Sequence, residues 1–71
     1  MMTPDEVRAA IESGEAVEAK TISGTWRSAK ALRLVKDRAE SDLVWVETTW
    51  SDGCVTEGVR LLHELRKVPD G

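Results

Sequence analysis

The feature that most constrains this chain is a change of periodicity at Gly14. Before it, Val7, Ala10 and Ile11 recur at the three-to-four-residue step that lines one face of an α-helix. After it, much of the sequence alternates apolar and polar residues in short runs, with turn signals between them, as far as Val68. One helix followed by short strands predicts an α+β domain, with an N-terminal helix laid on a strongly bent antiparallel sheet or small barrel of about five strands. A chain of 71 residues makes one domain, read here as a helix over 4–13, a β-rich body over 15–68 and a tail over 69–71. Such a chain buries only about 60% of its unfolded surface. An enclosed active-site cleft is therefore not expected, and a homo-oligomer would supply buried area that the monomer lacks.

Local signals set the boundaries. Thr3-Pro4-Asp5-Glu6 opens the helix: Thr3 caps, Pro4 suits the first position, and Glu6 completes a capping box. Gly14 closes it. Residues 15–22 read as a first strand with Val17 and Ala19 on one face, and Ser23-Gly24-Thr25 as a turn. Trp26 to Val35 reads two ways. A strand puts Trp26, Leu32 and Leu34 on one face and Ala29, Ala31 and Val35 on the other; a helix over 28–40 gathers Ala31, Leu32, Val35 and Ala39. Helix propensity favours the second and the flanking turns the first, and the strand is preferred. Lys36 to Ser41 is then a charged loop. Asp42 to Trp50, rich in β-branched and aromatic residues, is a strand, Ser51-Asp52-Gly53 a hairpin turn, and Cys54 to Val59 the returning strand. Arg60 to Val68 is either a short helix or a single helical turn followed by a closing strand at 65–68.

Composition narrows function by exclusion. A net charge of −3 makes duplex nucleic acid a poor first partner, because that binding relies on a basic face. No apolar run approaches the length of a membrane span, no signal-peptide pattern opens the chain, and a lone Cys54 fits a reducing compartment, so a cytoplasmic protein without membrane contact is expected. Catalytic patterns are absent. The sole histidine, His63, sits in Leu-Leu-His-Glu-Leu and reads as structural; Cys54 reads as a small buried residue after the hairpin; Glu47, between Trp45 and Thr49, is the one carboxyl with apolar neighbours. No metal-ligand spacing occurs, and no cofactor is expected. Trp45 is read as a core anchor, while Trp26 and Trp50 lie at strand ends where partial exposure suits contact with a ligand.

From Gly24 onward the sequence resembles a Tudor-type or SH3-like small barrel. The matching pieces are Gly24-Thr25-Trp26-Arg27-Ser28-Ala29-Lys30-Ala31, Leu43-Val44-Trp45-Val46, Trp50-Ser51-Asp52-Gly53 and Leu62-His63-Glu64-Leu65-Arg66-Lys67-Val68. The resemblance implies a non-enzymatic binding module that engages a protein or peptide through the barrel rim near Trp26, Trp50 and Asp52. Tudor-type readers of methylated side chains use an aromatic cage, and the chain departs from that pattern: it has no Tyr or Phe, and Trp45 and Trp50 are an odd number of residues apart. Glu6 to Gly14 followed by Gly24-Thr25-Trp26 also resembles small phage proteins, some of which sequester nucleotide signals of bacterial immune systems. That resemblance implies an anti-defence sponge in which Trp26 or Trp50 stacks on a base while Arg27 and Lys30 hold phosphate. A third alternative, an accessory nucleic-acid binder, would use the basic stretch Arg27, Lys30, Arg33, Lys36 and Arg38.

Overall fold

In a computed structural model, which describes residues 2–36, 38 and 42–69, the helix α1 spans Pro4–Ser13. It is followed by β1 (Ala16–Lys20), β2 (Trp26–Lys36), β3 (Asp42–Thr49), β4 (Val55–Leu61), a single 3-10 turn (Leu62–Glu64) and β5 (Leu65–Lys67). The strands form one antiparallel sheet in the order β4-β3-β2-β1-β5, with β4 and β5 at its edges. The expected α+β architecture is present as an open sheet, compatible with a small barrel-like fold.

The helix begins and ends where its sequence dictates. The Thr3 hydroxyl accepts from the Glu6 amide, the Glu6 carboxylate accepts from the Thr3 amide, and Gly14 closes the helix at φ 75°. Val7 and Ala10 are buried and Ile11 packs at the margin of the core. The helix lies mainly on β2. Beneath it the sheet presents small residues: Val17, Ala19, Ala29, Ala31, Val44, Val46 and Leu65 are all buried. Met2, preceding the cap, is buried with them, a contribution the helical periodicity does not announce.

The segment 26–36 is a strand throughout, not a helix. Its pairing on both sides, Ala29 with Val17 and with Thr48, overrides the helix propensity of its Ala, Leu, Lys and Arg residues. The register slips between Ala31 and Arg33, so Leu32 is an extra residue in β2. This bulge changes the faces expected of a regular strand. Ala29, Ala31 and Leu34 turn to the core, while Arg33 and Val35 share the opposite face with Lys30. The segment after β4 takes the second of its expected forms, one helical turn and then a short strand, so the short-helix alternative fails. Most of the charged loop 36–41 and residues 70 and 71 of the tail lie outside the described residues.

One ion pair fastens the helix to the edge strand β5: Lys67 Nζ lies 2.8 Å from Glu6 Oε2. The hydrogen bond from Lys67, aided by that from the Thr3 amide, holds the Glu6 carboxyl down from 4.5 to about 2. A carboxyl whose folded pKa is depressed contributes stability above its unfolded pKa and loses it as pH falls through the folded one. Wild type is therefore expected to lose stability relative to Glu6→Gln as pH falls from about 4.5 to about 2, and to hold its full advantage above that window. Thermal midpoints of both proteins across the window check this; parallel curves would show that the pair contributes nothing.

Candidate functional site

Alternation in the three strands β2, β3 and β4 produces two unlike faces. The inner face carries the rows Ala31–Val46–Gly58 and Ala29–Thr48–Thr56, and its β2 and β3 members are buried. Among the described residues no helix lies against the other face. It carries three full cross-strand rows, Val35–Leu43–Leu61, Arg33–Trp45–Val59 and Lys30–Glu47–Glu57, with the pair Thr49–Val55 beyond the last. Val59 is 44% exposed and Leu61 41%, while Val35, Leu43 and Trp45 are half-buried. Two adjacent rows thus hold five apolar residues interrupted only by Arg33.

Trp45 sits at the centre of this face. It is not the core anchor its residue type suggests: its indole is on the uncovered side of β3, between the buried Val44 and Val46. The Arg33 guanidinium lies over the ring, 5.5 Å from its centroid, and the indole Nε1 donates to Glu57 Oε1 at 2.8 Å. The indole is thereby held by polar partners on both β2 and β4, and its orientation is fixed without burial. A shallow groove of about 300 Å³ adjoins Val59, lined also by Lys20, Ile22, Arg60 and Glu64. Ile22, in the turn after β1, is fully exposed.

The five residues singled out in the sequence do not form one cluster. Trp26 shares the uncovered side of the sheet with Lys30, but Arg66 lies over its ring at 4.3 Å, and Arg66 is itself bonded to Glu18 at 2.7 Å. Arg27 stands opposite the buried Ala19, on the inner side. Its Nε is buried without a hydrogen-bond partner, the one such side-chain atom among the described residues. Lys30 is exposed and pairs across the strands with Glu47. Trp50 is half-buried and donates from Nε1 to Thr56 Oγ1 at 2.7 Å, on the inner side. Asp52 serves the hairpin: its Oδ1 accepts from the Cys54 amide at 2.9 Å, which holds its carboxyl below the usual aspartate range. Gly53 completes that turn at φ 88°.

The basic stretch is likewise divided. Lys30 and Arg33 share the uncovered face through the bulge, Arg27 turns inward, and Lys36 pairs with Asp42 at 2.6 Å. Cys54 is exposed in the hairpin rather than buried, because strand pairing begins only at Val55. His63 is exposed in the 3-10 turn. No group of three or more His, Cys, Asp or Glu side chains gathers to hold a metal ion among the described residues, and no helix there is long and apolar enough to cross a membrane.

Val35, Leu43, Val59 and Leu61 were not singled out as candidate site residues in the sequence. The signal present is the alternation in β4 of Val55, Glu57, Val59 and Leu61 against Thr56, Gly58 and Arg60. It groups those residues on one face without saying that the face is uncovered. Comparison of the chain with protein-family models, curated proteins and solved structures gives no match.

Proposed function

We propose that this domain is a non-catalytic binding module whose contact surface is the uncovered face of β2, β3 and β4. The observation that carries the reading is the pair of adjacent rows Val35–Leu43–Leu61 and Arg33–Trp45–Val59, apolar at the centre and edged by Lys30, Glu47 and Glu57. An apolar centre with a charged rim and a fixed aromatic side chain is how protein contact surfaces are built. The strand count and the helical turn before the last strand fit the small-barrel resemblance and support a binding module over an enzyme. The rim residues Trp26, Trp50 and Asp52 support contact less well, since Trp26 lies on the uncovered side of the sheet, Trp50 bonds to Thr56 on the inner side and Asp52 serves the hairpin turn. The nucleotide reading asks Arg27 and Lys30 to grip one phosphate group, and the two lie on opposite sides of β2.

The test is comparative capture from the source cells. Wild-type protein and Trp50→Ala are expected to retain the same protein, a second copy of this chain included, and Val59→Asp to lose it. Retention by Val59→Asp together with loss in Trp50→Ala would return the contact to the rim.

A further inference from the structure

We infer that the uncovered face is closed by a second copy of this chain, related by a twofold axis running along β3. The inference rests on the reading of that face as the contact surface, and it names the partner. Its basis is the arrangement of charge. On this face β2 carries Lys30 and Arg33 and β4 carries Glu57, all exposed, with Glu47 between them on β3. The face is thus basic along one side, acidic towards the other and apolar in the rows Arg33–Trp45–Val59 and Val35–Leu43–Leu61.

Such a face complements itself in one orientation. A twofold axis between the copies, parallel to β3, lays β2 over the partner's β4, so that Lys30 meets the partner's Glu57 and Glu57 meets the partner's Lys30. The same rotation sets Trp45 over the partner's Trp45, Leu43 over the partner's Leu43 and Val35 over the partner's Leu61; it also sets Glu47 over the partner's Glu47, with the Lys30 of each copy beside the pair. The strands run in similar directions, as in aligned packing of two sheets. The other in-plane axis, across the strands through the Trp45 row, would set Arg33 on the partner's Arg33, Lys30 on the partner's Val35 and Glu57 on the partner's Leu61, with no opposite charges brought together. Only three strands take part, so the contact lies at or below the roughly 1,200 Å² of the smallest stable interfaces, and the dimer dissociates on dilution.

Charge reversal tests the geometry in the full chain. In sedimentation equilibrium the wild type is expected to show a concentration-dependent dimer. Lys30→Glu and Glu57→Lys each place like charges together twice, and each is expected to raise the dissociation constant on the order of tenfold or more. An equal mixture of the two variants restores both pairs as opposite charges, and a heterodimer of nearly wild-type affinity is expected. Local damage, such as loss of the Trp45–Glu57 hydrogen bond, is not repaired by mixing. A wild type that stays monomeric at the highest attainable concentration overturns the inference. So does a dimer indifferent to both reversals, which would direct attention to the free edge of β4. If the wild type is monomeric but Val59→Asp still abolishes capture of another protein, the dimer alone fails; if Val59→Asp leaves capture intact, the reading of the face fails with it.

Discussion

Replacing Leu65 with alanine is expected to remove a large share of the protein's stability. Leu65 has no exposed surface and, with Met2, is among the largest side chains fully buried in a core built mostly from Ala and Val. Ala19, its partner on β1, has no reach with which to fill the space it would leave. Truncation of a buried leucine costs about 2–5 kcal/mol. A domain of this length has a total stability of only about 4–11 kcal/mol. The position adds to the loss. Leu65 opens the three-residue edge strand β5, which is held to the sheet only through Val17, Glu18 and Ala19. The last residue of β5, Lys67, carries the ion pair to Glu6 and so to the helix. Urea denaturation followed by circular dichroism measures the effect. A loss under about 1 kcal/mol would show that the core closes over the gap.

Val46→Asp is expected to abolish folding, while Val59→Asp leaves the fold intact. Val46 is fully buried on the inner side of β3, between Ala31 and Gly58, where an aspartate carboxylate would be stripped of water. Burial of a carboxylate costs several kcal/mol, and the cooperative unfolding transition expected of a small single domain would be lost. Val46 stands opposite Gly58, and Val59 is the next residue along β4, on the other side of the sheet and 44% exposed. There the same substitution puts the charge in water beside Arg33 and Trp45. Thermal melts of the two variants make the comparison. Comparable destabilisation of both would mean that the second face is packed in solution as firmly as the first.

The candidate surface was only partly legible in the sequence. Lys30 stood out as a contact residue, and it does lie on the uncovered face. Trp45 was misread because its flanks, Leu43-Val44 and Val46, give no period that separates one side from the other. The bulge at Leu32 was not legible either. It moves Arg33 from the side of Arg27, where a regular strand would put it, to that of Lys30, and it arises from pairing with β3 rather than from any glycine or proline in β2.

The sequence by itself determined the features that close over a few residues. The capping box of Thr3 and Glu6, the helix end at Gly14 and the hairpin from Trp50 to Cys54 each depend on hydrogen bonds or backbone freedom within about one turn of chain. Tertiary structure settled 26–36 as the strand that the flanking turns favoured over the helix, and it alone decided which side of the sheet the helix covers. The helix settles over Ala29 and Ala31, where short side chains let it approach the sheet closely, and the space beneath it is filled by Val and Leu. An indole does not fit that space, and its N–H needs a polar partner. Trp45 therefore turns to the open side, where Glu57 accepts its N–H and Arg33 covers its ring.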